Sequence, residues 1–546
     1  MFITCGDPAK DPATYTRFIL PFAYCPTFKE ESNDKVCYEK TEPEDLMWRK
    51  KYLTYETADV LFERAKWFTL KNLQYPLEVN MHFRDCAKNE HIAIHIKPPS
   101  LILFEWPERD GKCSKHCTDP SLMQCPEGKH NILRTGFLVL ELYFPEHNCI
   151  YPTIDNLLEM NELFRYWQQP FDRHEDKKGY KKLLANLPFI HGSAETISQK
   201  QNPLELYFER WASLLDIPVR DEQGKHWQLF PQQWMQNARK FVSGEEGTSP
   251  GWAIYSDNRT FVWTCAIMQN GGNELRTLFN KAKGKASDFG HWIKLLNVDQ
   301  PGKNIIDSNK YTQFEKKWAK ERTYKRWEED GTFYGFNYHC GAMIGPPFKE
   351  LPLWKHFGQM YYDQILLLLY IRVALFRFSM RLNRISAEAL ESSDDAEWLE
   401  KFQQLREFFT LFTNLYQFPL LSNQQQAIEM YALARKHMDI DDLFKEIQQE
   451  VNSNHEYLST KQATMQAEIT TRLTVVATIG LILAIATGFL GMNIIVDGFS
   501  GSLSWNGVRN WGVLIVTILV VFIITFCTIR HSVCIGKFFS KLSKKK

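Results

Sequence analysis

Residues 473–496 read LTVVATIGLILAIATGFLGMNIIV, and none of them is charged. At 1.5 Å per residue, a helix of that length reaches across ~30 Å of hydrocarbon. A second uncharged window, NWGVLIVTILVVFIITFCTI at 510–529, is rich in β-branched residues and has Trp511 at its edge, as membrane anchors often do. Both windows are expected to be transmembrane helices. The rival run ILLLLYIRVALF at 365–376 is shorter and contains Arg372, so a buried core helix is expected there. After Cys527 the tail holds Arg530, Lys537, Lys541, Lys544, Lys545 and Lys546 with no acid, whereas the connecting loop has Asp497 and Arg509. That basic excess predicts a cytoplasmic tail. Two crossings return the chain to its starting side, so both termini are expected in the cytoplasm and the anchor in the inner (plasma) membrane.

Working back from Gly491 in steps of three and four gives Gly488, Ala484, Leu481, Ala477, Thr474, Thr470, Ala467, Ala463, Thr460 and Glu456. All but Leu481 and Glu456 are small. A seven-residue repeat on one helix places them on a single seam, which admits either a neighbouring helix or a narrow water column. Upstream, Ser422 and Asn423 are N-cap residues just after Pro419, and Phe444, Val451, Leu458 and Met465 recur every seventh residue. A continuous stalk helix from about Gln424 to Leu490 is expected.

The tripeptide Gly491-Met492-Asn493 closes the first window, ahead of a short loop and the second window. In this the sequence resembles the CorA family of magnesium channels, and the likeness continues through Leu473, Thr474, Ala477, Thr478, Ile479 and Gly488. The resemblance implies a homopentamer with Thr470, Thr474, Ala477, Leu481, Ala484 and Gly488 lining a central pore. It also implies a selectivity filter of Gly491, Met492 and Asn493. Amide oxygens of Asn493 would hold the hydration shell of Mg²⁺, which sheds water reluctantly. Glu456 falls where the family tends to have a regulatory metal-binding acid. The chain departs from the pattern at Ala467, Ala484 and Ile482, and Asp497 is the sole acid of the outer loop, which weakens the case for magnesium selectivity. The large N-terminal region, with YGFNYHCG, MYYDQILLLLYIR and FPLLSNQQQ, looks like the enlarged CorA-like proteins encoded beside type III CRISPR systems. That likeness implies an antiviral membrane effector switched by a small nucleotide messenger such as S-adenosylmethionine joined to AMP.

The expected architecture is an α/β cytoplasmic domain followed by a long stalk helix and two transmembrane helices, a CorA-like funnel. Its parts are a regulatory α/β domain over 1–390, a helical region and stalk over 391–472, a pore-lining span over 473–493, an outer loop over 494–510, a second span over 511–529 and a basic tail over 530–546. Within the first part, Ile92, Ile94 and Ile96 alternate, and Phe137 to Phe144 is apolar on both faces as in a central strand. Trp252 to Tyr255 and Thr260 to Met268 flank the turn Ser256-Asp257-Asn258-Arg259 as a hairpin, and a further strand is expected in Thr332 to Met343.

Lys plus Arg at 65 against Asp plus Glu at 64 leaves +1, which argues against direct nucleic-acid binding. The 12 cysteines form no compact framework and are expected to be reduced thiols. Cys113, His116, Cys117 and Cys125, with His130 nearby, include enough ligand types for zinc, but C-x3-C-x7-C fits no standard finger, so thiols in a surface loop are the favoured reading. No GxxxxGK[ST] or HExxH is present, and no enzymatic activity is expected. The expected function is therefore a channel or transporter for divalent cations, Mg²⁺ foremost, gated by its cytoplasmic domain and by a nucleotide messenger. Its expected partners are the lipid bilayer, further copies of itself and that small nucleotide. The alternatives are a non-conducting membrane-anchored receptor or scaffold and an ordinary Mg²⁺-regulated uptake channel.

Overall fold

The computed structural model describes residues 2–29, 36–73, 75–83, 90–106, 134–148, 150–166, 211–231, 236, 259–269, 286–301, 311–391, 395–418 and 420–498, with 515–516, 519–520 and 522–523. The chain divides into two compact units, Met1–Ile447 and Gln448–Lys546.

The first unit is an α/β domain built on one large sheet. Its strands among the described residues are β1 (Tyr15–Ala23), β2 (Thr27–Lys29), β3 (Cys37–Lys40), β4 (Lys66–Lys71), β5 (Leu77–Met81), β6 (Ile92–Ile96), β7 (Ser100–Leu103), β8 (Thr135–Tyr143), β9 (Val219–Arg220), β10 (His226–Gln228), β11 (Phe261–Ile267), β12 (Thr323–Tyr324), β13 (Phe333–Phe336) and β14 (Cys340–Gly345). The order across the sheet is β12-β13-β14-β11-β1-β8-β7-β4-β3-β9-β10-β2, with β6 also pairing β8 and β5 pairing β6. Pairing is antiparallel except for β11 with β14 and β3 with β9. Central β11, FVWTCAI, is buried at every position because both faces are covered. Gly341 of β14 is required by packing: a Cβ there would lie 2.2 Å from the Trp263 ring, which itself stacks on Phe357 at 3.9 Å.

The described helices are α1 (Leu46–Tyr52), α2 (Tyr55–Ala58), α3 (Ile154–Arg165), α4 (Ala286–Asn297), α5 (Tyr311–Glu321), α6 (Leu353–His356), α7 (Tyr362–Glu391), α8 (Asp395–Tyr416), α9 (Gln425–His437) and α10 (Ile440–Gly498). Thr153 starts α3 with a capping box: its hydroxyl accepts from Asn156 N at 3.4 Å, and Asn156 Oδ1 accepts from Thr153 N at 2.8 Å. Ile365 to Leu375 of α7 are nearly all buried, as a core helix requires. Two groups of charges in this core are paired. Arg49 forms a bidentate pair with Asp363, Nε to Oδ2 at 2.8 Å, and Glu141 takes Arg17 on one oxygen and Lys97 on the other at 2.8 Å. Burial alone would raise Glu141, but Arg17 and Lys97 outweigh it and hold its carboxyl down at about 2.

The strand expectations at 92–96, 137–144 and 260–268 correspond to β6, β8 and β11. The partner expected at Trp252 to Tyr255 and its turn through Asn258 lie outside the described residues. The single strand expected over Thr332 to Met343 is two, β13 and β14, paired antiparallel around Asn337 to His339. The expected continuous stalk is interrupted as well. α9 ends at His437, Met438 N donates to Ala434 O at 2.9 Å, and Asp439 adopts a left-handed φ of 56°, which ends one helical ladder before α10 begins.

The second unit supplies the main correction. Among the described residues, no helix is long and apolar enough to cross a membrane. This overturns the expected funnel of two spans, and with it the five-fold pore, the bilayer as partner, the multi-pass inner-membrane localisation and the membrane channel, including its membrane-anchored receptor alternative. Within 473–496, Thr474, Thr478 and Thr487 bond their hydroxyls to carbonyls one turn back at 2.7–2.9 Å, and Gly480 and Gly488 add no apolar side chain. The second window, 510–529, lies mostly outside the described residues.

Candidate functional site

A cavity of about 550 Å³ opens in the first unit, within the ~300–1,000 Å³ usual for small-molecule sites. Six segments build it. The end of α3 contributes Glu162 and Arg165, the start of β11 contributes Arg259, and the end of α4 leads to Val298. The end of α5 carries Trp318 and Arg322, and the β13–β14 turn carries Tyr338 and His339. His437 and Asp439, between α9 and α10, complete the wall.

Local bonds fix these groups. Arg165, only 5% exposed, donates from Nη1 to Val298 O at 2.6 Å and to Asn297 O at 3.3 Å, and its buried Nε has no partner among the described residues. Val298 has a φ of 57°, an outlier for a β-branched residue, and the Arg165 bond stands on that strained carbonyl. Asn337 Nδ2 donates to Leu296 O at 2.9 Å while its Oδ1 accepts from His339 N at 3.1 Å, which ties the β13–β14 turn to α4. Arg372 of α7 reaches the same turn from below: it donates to Tyr338 O and lies 4.5 Å over the Tyr338 ring.

At one end of the cavity, three guanidinium groups bear on one imidazole. Burial first, and then Arg372, Arg259 and Arg165, drive His339 down to about 3 from its ordinary 6.5. Burial lowers Arg165 too, with Arg259 adding to it and Tyr166 and Asp299 opposing. Three carboxylates also reach the cavity, but Glu162 accepts from Gln300 Nε2, and Asp439 acts on Arg322 and His437 at the other end. At that second end Arg322 lies 4.5 Å over the Trp318 ring and donates to Trp318 O at 3.3 Å, while His437 Nε2 bonds Glu321 O at 3.0 Å. The site therefore offers guanidinium groups beside the Glu162 and Asp299 carboxylates at one end and a flat cation–aromatic pair at the other.

None of these residues was singled out as a site from the sequence except Arg372, noted only as a charge within an apolar run. The residues expected to line a pore, Thr470, Thr474, Ala477, Leu481, Ala484 and Gly488, all lie on α10 and are exposed, as is Glu456. Gly491, Met492 and Asn493 fall within the last turns of α10, and their side chains lie outside the described residues. So do Cys113, His116, Cys117 and Cys125. Among the described residues, no group of three or more His, Cys, Asp or Glu is placed to hold a metal ion.

No family model, curated protein or solved structure matches this chain. The resemblance to CorA channels and to their CRISPR-associated relatives is corrected accordingly. It rested on Gly491-Met492-Asn493 with neighbouring residues of the first window, on two uncharged windows and a basic tail, and on three N-terminal motifs, and neither a family match nor a membrane-spanning helix among the described residues supports it.

Proposed function

We propose that the α/β domain is a receptor for a small phosphate-bearing molecule, bound in the cavity beside His339 and not chemically transformed there. The nucleotide ligand expected from the sequence belongs to this class. The observation that carries the reading is the placement of Arg165 and Arg259, with Arg372 behind them, around the half-buried His339 imidazole at the edge of a cavity of about 550 Å³. Guanidinium groups recognise phosphate through charge-assisted, often bidentate bonds, and a partly dry wall strengthens them. An arriving dianion would neutralise the field that now depresses His339. Arg165 is held ready by carbonyl bonds, so little ordering remains to oppose binding.

Calorimetric titration of the purified chain with inorganic pyrophosphate, AMP and adenosine tests this. Pyrophosphate and AMP are expected to bind, adenosine at least about tenfold more weakly than AMP, and the anion affinities to fall with added salt. Failure of both anions to bind, or equal affinity for AMP and adenosine, would reject the reading.

A further inference from the structure

We infer that the far end of this cavity is a stacking shelf for a flat heterocycle, made by Trp318 and Arg322 and continued by Phe314. The inference rests on the phosphate-receptor reading and makes the ligand a nucleotide, not a sugar phosphate or a bare anion. The guanidinium of Arg322 lies on the indole of Trp318 at 4.5 Å, and both residues line the cavity. A guanidinium laid on an indole is a flat, weakly hydrated surface of the kind on which bases stack. The inner part of Trp318 packs against the domain core, so the shelf is fixed before a ligand arrives.

Phe314 supports the same assignment independently. Residues 314, 318 and 322 follow at intervals of four, so Phe314 stands on the α5 face that carries Trp318, one turn farther from Arg322. It is a large aromatic, 72% exposed, one turn from the half-buried Trp318. A row of Phe, Trp and Arg leading from solvent into a cavity suits a planar ring entering edgewise. His437 and Asp439 lie along the same wall, with His437 held by Glu321 O at 3.0 Å, and they offer polar contacts to ring nitrogens or ribose hydroxyls.

The two ends place the ligand in one direction, with phosphate toward Arg165, Arg259 and His339 and base toward Trp318 and Arg322. Stacking of a base on such a platform corresponds to about tenfold or more in affinity. The test compares AMP with ribose 5-phosphate on the full chain, in the wild type and in Trp318→Ala, Trp318→Phe and Phe314→Ser. AMP is expected to bind about tenfold or more tightly than ribose 5-phosphate in the wild type. Trp318→Ala is expected to erase that preference while ribose 5-phosphate affinity stays constant, Trp318→Phe to keep most of it, and Phe314→Ser to lower it slightly. Constant ribose 5-phosphate binding in the alanine variant also reports that the domain is folded. Equal wild-type affinities for the two ligands, or an undiminished AMP preference in Trp318→Ala, would overturn the shelf and leave the phosphate end standing. Absence of binding by either ligand would overturn both.

Discussion

Arg49 and Arg165 are both buried arginines of the same domain, yet they are used differently. Arg49 meets Asp363 through two hydrogen bonds, with the carboxylate fully buried. Arg165 spends its hydrogen bonds among the described residues on the neutral carbonyls of Asn297 and Val298, and it stands near Arg259 and Arg372 around one imidazole. The first arrangement cancels its own charge inside the protein. The second sets guanidinium groups beside a cavity whose wall also carries Glu162, Asp299 and Asp439. A buried pair is retained by the cost of separating it, whereas a cluster of like charges raises the energy of the empty domain and returns that energy when an anion binds.

The largest effect that would break this contrast is on stability. Replacing Arg49 alone, as Arg49→Met, leaves Asp363 charged and alone in the core, and is expected to cost about 3–5 kcal/mol in urea denaturation. The double change Arg49→Met with Asp363→Leu is expected to recover most of it. A loss below about 1 kcal/mol in the single variant would show that the two arginine environments are equivalent.

Arg259→Met probes the other side. Removing one of the like charges is expected to change stability by no more than about 1 kcal/mol while lowering pyrophosphate affinity about 10- to 100-fold. Calorimetry beside a urea curve reads both quantities, and a large stability loss with unchanged affinity would reverse the assignment.

Acid separates the cavity from another paired buried carboxylate, Glu141 between Arg17 and Lys97, by window. His339 is held at about 3 in the folded chain against 6.5 ordinarily, so the folded state binds fewer protons and the contribution is present above pH 6.5 and lost as the pH falls toward 3. Its loss by pH 5 is about 2 kcal/mol, and His339→Asn is expected to flatten that part of the profile. Glu141, held at about 2 against 4.5, contributes above pH 4.5 and loses that contribution only between 4.5 and 2. Saturating pyrophosphate is expected to shrink the upper step and leave the lower one. Stability measured from pH 7 to 2.5, with and without pyrophosphate, checks both steps.

What the sequence determined by itself is local. Alternation at Ile92, Ile94 and Ile96, the two-sided apolar runs of β8 and β11 and the aliphatic run of α7 are periodic or continuous signals written in neighbouring residues, and the elements stand where those signals fall. The strand at 332–343 was legible as strand but not as two, because Asn337 to His339 turn the chain through bonds to α4, more than forty residues away. The break at Asp439 had only a weak trace, since Asp tolerates left-handed backbone without announcing it as Gly would. The uncharged run at 473–496 lies on α10, and among the described residues no helix is long and apolar enough to cross a membrane. The cavity was not legible at all. Arg165, Arg259, Arg322, His339 and His437 come from five separated segments, and each is ordinary in its own neighbourhood. Their meaning is electrostatic, a sum of fields over distances set by how the sheet and helices pack, and that sum exists only in the folded chain.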